Sequence, residues 1–220
     1  MSCEKEAAPQ PSTTSHGNIS YFAKASGNKA SVKSASVSST VEIAWSSASI
    51  YVEKISFTGK GESQIDTIIV VEKNMNIFSP DALAGVIQLR SGSYKDVKVK
   101  LFLKKSPKSE LAFNVRGTFT NTKGIKDSLI VASSLPFEAN LGVNDITVNP
   151  SDNYKAIFNF DLDKILTGIS TQLLQTAPSH VGLNNLRTYA IWKGGSADVP
   201  LYAQVTNNWQ TVASVVISKQ

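Results

Sequence analysis

Two stretches decide the fold: YKDVKVKLFLK at 94–104 and LAFNVRGTFT at 111–120. In the first, Val97, Val99, Leu101 and Leu103 alternate with Lys98, Lys100 and Lys104. In the second, Leu111, Phe113, Val115 and Phe119 alternate with Asn114, Arg116, Thr118 and Thr120. Successive side chains of a strand point to opposite faces. Each stretch therefore puts its apolar residues on one face and its polar residues on the other, the pattern of a sheet with one wet side. Pro107 lies between them, so the pair is expected to close as an antiparallel hairpin with its turn over 105–109. Phe102 breaks the pattern. It is expected either to be covered by a loop or to mark a contact point for a partner.

Outward from this pair the same rhythm recurs. Strands are expected at 19–23, at 40–45 (TVEIAW), at 49–57 (SIYVEKISF) and at 86–89. The β-branched run IDTIIVVE at 65–72 reads as a strand buried on both sides. Gly59-Lys60-Gly61 and Ser91-Gly92-Ser93 read as turns. Further strands are expected at 128–132, 136–141, 145–148, 154–160, 186–192, 201–206 and 211–218. One segment has the other period. In DLDKILTGISTQLLQT, Leu162, Ile165, Leu166, Ile169 and Leu173 have helical spacing, with Asp161 as N-cap and Asp163 in the first turn. The expected fold is mainly β: an antiparallel Greek-key β-sandwich with one amphipathic helix at about 162–175 covering an end or an edge. Residues 18–220 form the sandwich, and those from about 180 are open to reading as a C-terminal extension.

The chain has 220 residues and a net charge of +5. Its positive charge is nearly all lysine, with arginine only at Arg90, Arg116 and Arg187. Nucleic-acid recognition favours the arginine fork, and these lysines are spread along strands, so nucleic acid is not expected as a partner. No run approaches the roughly 20 apolar residues of a membrane helix.

The only cysteine is Cys3, so no disulfide forms within the chain. Residues 1–17 (MSCEKEAAPQPSTTSHG) combine Pro, Ser, Thr and charge without periodicity, and read as a disordered tether. A bacterial lipoprotein carries its lipidated cysteine in this setting, with a small residue such as Ser2 before it and a polar tether after it. Cys3 is thus the candidate lipid anchor. That reading expects a hydrophobic signal segment upstream, trimmed from the sequence as it stands. It places the protein at the outer membrane or cell surface, with the membrane as a partner through the lipid.

Four features together carry a resemblance: Cys3 with its tether, WSSASIYVEKISFTG at 45–59, RSGSYKDVKVKL at 90–101 and FNFDLDKILTGI at 158–169. Over about 19–169 the chain resembles a family of Bacteroidetes-type surface lipoproteins that carry a domain of unknown function. The resemblance implies a transthyretin-like or other Greek-key sandwich and a cell-envelope location. It transfers no functional residue.

No motif carries a reaction. The histidines are His16, in the leader, and His180, in a loop, and there is no G-x-S-x-G elbow to support a triad through His180. The glycine pairs match neither a P-loop nor a dinucleotide fingerprint. No enzyme, cofactor or metal is expected. Asn159, Asp161 and Asp163 stand at alternate positions and would suit calcium, but a cap and a first-turn acid account for both aspartates. Asp66-Thr67-Ile68 and Asp127-Ser128-Leu129 resemble the acceptor motif for O-glycans on envelope proteins, and Ser128, at an expected loop-to-strand edge, is the better candidate of Thr67 and Ser128. Tyr189 and Trp192 lie near Lys193-Gly194-Gly195, and Tyr202 and Trp209 flank Asn207-Asn208. Rings beside amides are what a glycan-binding face uses; core filling is the competing explanation. The expected function is a non-catalytic binding or adhesion module for a glycan or a surface protein. The alternative is a structural subunit of a fimbria-like assembly.

Overall fold

The computed structural model describes residues 16–27, 29–33, 40–61, 65–79, 82–108, 111–142, 145–182, 185–193 and 201–220. Among the described residues fourteen strands follow one another. They are β1 (His16–Ser26), β2 (Lys29–Lys33), β3 (Thr40–Lys60), β4 (Ile65–Asn76), β5 (Ala82–Arg90), β6 (Gly92–Leu103) and β7 (Phe113–Thr120), then β8 (Lys126–Ser133), β9 (Phe137–Gly142), β10 (Ile146–Val148), β11 (Asn153–Asp161), β12 (Ser179–Val181), β13 (Arg187–Lys193) and β14 (Ala213–Lys219). Two helices accompany them, α1 (Thr171–Leu174) and α2 (Tyr202–Val212). The strands make two sheets, and the fold is a mainly β sandwich. The smaller sheet has the order β14-β11-β1-β5, and the ten-stranded one the order β10-β6-β3-β7-β8-β13-β12, with β2, β4 and β9 on its flanks. Two ladders are parallel, β1 with β11 and β8 with β13.

The apolar alternation at 94–104 and 113–120 lies on the faces expected; Leu111 is half-buried, and Ala112 is buried instead. Val97, Val99, Leu101, Leu103, Phe113, Val115 and Phe119 are all buried. The pairing is different. These strands do not form a hairpin; both run antiparallel along one edge of β3, end to end. Leu103 stands opposite Val52, and Phe113 opposite Ile50. Between them the chain leaves β3 and returns at Tyr51, which donates its amide to Ala112 O at 3.1 Å. The true hairpin joins β7 to β8 through 121–125, where Asn121 Oδ1 accepts the amides of Lys123 and Ile125. Alternation fixes which face a residue takes and is silent on which strand lies beside it. Phe102 is half-buried on the outward face, between two lysines. Lys54 Nζ lies 4.7 Å and Lys100 Nζ 5.6 Å from its ring centre, a cation–π arrangement across the sheet.

Four further expectations change. His16 and Gly17, expected in the tether, belong to β1; Cys3 and the rest of 1–15 lie outside the described residues. The β4 strand is buried on one side only, with Ile68 59% and Val70 68% exposed. The helix at 162–175 is two short pieces. A single 3-10 turn covers Leu162–Lys164, and α1 begins at Thr171 under Ser170, whose Oγ accepts from Leu173 N at 3.2 Å. Gly168, at φ +78, turns the chain out of helix between them. Leu162, Ile165, Leu166 and Ile169 still face the core, but Leu174 replaces Leu173 in it. Last, the expected strand at 201–206 is helix from Tyr202 onward, and the helix runs on to Val212.

That helix, α2, buries Tyr202, Val205, Trp209 and Val212, a helical stripe, and its Trp209 sits between the sheets. The Trp209 ring stacks on Phe113 at 4.3 Å and meets Phe137 at 6.1 Å and Phe160 at 6.2 Å. Phe113 and Phe137 come from the large sheet and Phe160 from the small one. Asn208 is buried beside it and donates to Ile165 O and Thr167 O, both at 2.9 Å. The helix thereby fixes the irregular 162–169 segment.

The C-terminal strand is tied at its end. Lys219 Nζ lies 2.8 Å from Asp152 Oδ1, while the Tyr154 hydroxyl and Asn149 Nδ2 both reach Asp152 Oδ2 at 2.9 Å. Chiefly the Lys219 contact, opposed by some desolvation and helped by Tyr154 and Asn149, holds the Asp152 carboxyl down at about 2. A depressed carboxylate stabilises the fold fully above its unfolded value of about 3.9, and that stability is lost as pH falls through the folded value.

Trp209→Ala should cost about 3–5 kcal/mol, and Lys100→Ala, on the wet face, about 0.5 kcal/mol or less. Denaturant unfolding measures both, and similar costs would mean that the faces are reversed. Asp152→Asn should lose less stability than the parent protein on acidification from about pH 4 to about pH 2; parallel acid profiles would deny the Lys219 tie its role.

Candidate functional site

The period of two along β13 sorts its aromatics. Tyr189 and Ile191 point inward and are buried; Thr188, Ala190 and Trp192 point outward. Tyr189 packs on Phe119 with ring centres 5.7 Å apart. Tyr202, at the start of α2, shares a hydrogen bond with Ser133 Oγ, and Trp209 is wholly enclosed. So three of the four candidate ligand-binding rings are core, and Asn207-Asn208 is not a loop between rings but the body of a helix. Trp192 alone reaches the surface, 43% exposed.

Its surroundings follow from strand register. Trp192 is opposite Ala132 on β8, Ala132 opposite Asn114 on β7, and Asn114 opposite Ser49 on β3. The next outward row runs from Ala190 through Ile130 and Arg116 to Ser47. Trp192 and Asn114 are thus two strand spacings apart, about 10 Å. Asn114 is half-buried, and its Oδ1 is a buried acceptor without a partner; such a group costs about 1–3 kcal/mol. Arg116 is exposed, and Ala132, although it faces outward, is 1% exposed. The two rows make a shelf with an indole at one end, aliphatic Ala190 and Ile130, and amide, hydroxyl and guanidinium groups alongside, with Ala132 covered. These two rows hold no carboxylate, imidazole or thiol. They can stack and hydrogen-bond; they offer no proton transfer and no nucleophile of the activated kind.

The other candidates are scattered. Ser128 is not at an edge: it lies inside β8, paired with Thr118 on one side and Thr188 on the other. Thr67 lies on β4, which among the described residues pairs with β3, and like Ser128 it is half-buried. Asp161 makes no side-chain cap; its Oδ2 meets Lys164 Nζ at 3.1 Å. Asp163 is exposed and stands against Gly27, where any side chain would meet its Oδ1 at 2.7 Å. Among the described residues no three His, Cys, Asp or Glu side chains group as metal ligands. His180 is exposed on β12 opposite Thr188, and His16 lines a cleft with Asp66, Arg90 and Tyr94. No helix among the described residues is long and apolar enough to cross a membrane.

Asn114 and Arg116 join Trp192 only through the sheet order. The sequence marks both as outward-facing and holds no signal that strands more than 70 residues apart share a shelf. No protein-family model, curated protein or solved structure matches the chain.

Because Asp161 does not cap, Asp161→Ala should change stability by about 0.5 kcal/mol or less, whereas Ser170→Ala should cost about 1 kcal/mol. Thermal unfolding with and without calcium checks the remaining reading. A calcium-dependent rise in Tm that Asp161→Ala removes would make Asn159, Asp161 and Asp163 a metal site after all.

Proposed function

We propose that this chain is a non-catalytic binding module of the cell envelope, held at the outer membrane or cell surface by a lipid on Cys3, and that it takes a carbohydrate on the Trp192 shelf. One observation carries the reading. Of four aromatic candidates Trp192 is the one left at the surface, and the outward rows of the sheet beside it carry Ala190, Asn114 and Arg116. A sugar ring offers a patch of C–H groups on one face and hydroxyls at its rim. The first suits an indole face; the second suits amide and guanidinium donors. An open shelf of this kind suits internal units of a polysaccharide better than a small molecule, which needs a concave site to bury most of its surface. The leader and its cysteine supply the attachment, and the sandwich supplies a rigid shelf.

A second reading has its own observation. On β4, Ile68 and Val70 stand exposed between Asp66 and Glu72, on a strand that among the described residues pairs along one edge. An apolar stretch of strand edge is a template for another chain, which favours a subunit of a surface assembly.

Binding to insoluble cell-wall and plant polysaccharides separates the two. Trp192→Ala should abolish retention on the bound polysaccharide without changing Tm, and Ile68→Lys should leave retention intact. If no polysaccharide retains the parent protein and Ile68→Lys instead dissolves an oligomer, the assembly reading replaces this one.

A further inference from the structure

A second recess lies on the inward-facing side of β13, away from Trp192. It sits between the turn at 121–125 and the start of β13, with Asn185 just before it. Its volume is about 470 Å³, and Lys123, Ile125, Gln175, Asn185, Arg187 and Tyr189 line it. That volume falls in the range of small-molecule sites, roughly 300–1,000 Å³.

Its charges are unbalanced. Lys123 and Arg187 are both exposed at the recess, and neither is among the ion pairs of the described residues. One acid lines it, Asp127, which is 2% exposed. That carboxylate has structural work: its Oδ2 accepts Asn121 Nδ2 at 2.8 Å, and Asn121 in turn holds the amides of the β7–β8 turn. Two cations therefore face one carboxylate that already serves the turn. Arg187 is also oriented. Its Nη1 donates to Ser179 Oγ at 2.9 Å across the β12–β13 pair, which steadies the guanidinium while leaving other N–H groups for a ligand. A steadied guanidinium suits a carboxylate taken by two parallel hydrogen bonds. Around it stand the side-chain amides of Gln175 and Asn185, the buried Tyr189 ring and the aliphatic Ile125. Asn185 is held in the left-handed region at φ 54 by the turn, its amide donating to Gly182 O at 3.1 Å.

We propose that this recess is a binding site for a carboxylated sugar of the uronic-acid class. Its carboxylate is taken by Arg187 and Lys123, and its hydroxyls by Gln175 and Asn185. A neutral sugar would leave the recess with one positive charge unmatched; a simple inorganic anion would leave the amides and the apolar wall unused. The site is independent of the Trp192 shelf, because residues 187 and 189 take the opposite face of β13 from 192.

The test is a titration of isotope-labelled protein with glucuronate and, separately, with glucose, followed by amide chemical shifts at low salt. Glucuronate should move the amides of Lys123, Asn185, Arg187 and Tyr189, and glucose should not. Arg187→Ala should weaken the response about tenfold or more, with Arg187→Lys in between. Lys123→Gln, at an exposed turn, should weaken it several-fold and keep the fold intact. Trp192→Ala should leave it unchanged. The proposal fails if glucuronate and glucose act alike, if neither moves these amides, or if the Arg187 and Lys123 variants respond as the parent does. Shifts confined to the neighbourhood of Trp192 would also overturn it while leaving the carbohydrate reading of the shelf standing.

Discussion

The structure hangs on the hydrogen-bond ladder of β3. At 21 residues it is far longer than a common strand, and it serves both of its edges. One edge carries β2 and then β4; the other carries β7 and then β6. No shorter strand could hold two partners end to end on each side. Because β6 and β7 stay collinear, β8 and β9 can follow them in the same way: β8 lies along β7, and β9 along β6. Register shifts on β3 near Val52, and near Trp45 opposite β7, are where such a long strand must bend to stay on a twisted sheet. The excursion at 104–111 is tolerated for the same reason. Tyr51 pairs with the chain on both sides of it, so the ladder is interrupted without being lost.

A long sheet needs a lid on its apolar face, and the small sheet covers only part of it. The remainder is closed by α2 and the 162–169 segment. Trp209 brings rings of both sheets together, and Asn208 supplies the amide hydrogens that the irregular carbonyls of Ile165 and Thr167 require. A buried amide is costly unless it is used, and here it is used twice. Other buried polar groups of the core go unsatisfied: Trp209 Nε1, Trp45 Nε1 and the Tyr21 hydroxyl are buried without a partner. For Tyr21 the burial raises the phenol's pKa far above its ordinary value, so the ring stays neutral and acts as core.

The sequence was legible in faces and opaque in partners. Alternation placed Val97 through Leu103 and Phe113 through Phe119 on the core side, and the composition of turns gave a mainly β sandwich. It misdirected wherever two structures share one local pattern. The pair 94–104 and 111–120 looks like a hairpin because Pro107 and polar residues lie between the strands; the deciding fact is β3, some 50 residues earlier in the chain. Leu201, Ala203 and Val205 alternate as a strand would, yet Tyr202, Val205, Trp209 and Val212 also make a helical stripe, and Asn207-Asn208 looked like punctuation. Only the need to place Trp209 between sheets chooses the helix. The 162–175 stretch failed in the reverse direction. Its leucines and isoleucines have helical spacing, but Gly168 lets the chain turn, and packing under α2 rewards the turn over a continuous helix. In β4, a run of β-branched residues was read as doubly buried, although a strand at the side of a sheet has only one core to face.

The same distinction between face and partner limits what could be read about the site. Four aromatics near amides looked equivalent along the chain. In space they divide by parity and by secondary structure. Tyr189 faces inward because it is two residues from Ile191; Trp192 faces outward because it is one. Trp209 is buried because helix spacing puts it beside Val205 and Val212. The polar company of Trp192 is then dictated by sheet order. The parallel β8–β13 ladder sets Ala132 beside the indole, and the antiparallel β7–β8 ladder sets Asn114 one strand further on. Had β13 joined by an antiparallel ladder or with a shift of one residue, the indole would lie over other neighbours or in the core. The shelf is therefore a consequence of how β13 docks on β8, and that docking rests in turn on β7 and on β3.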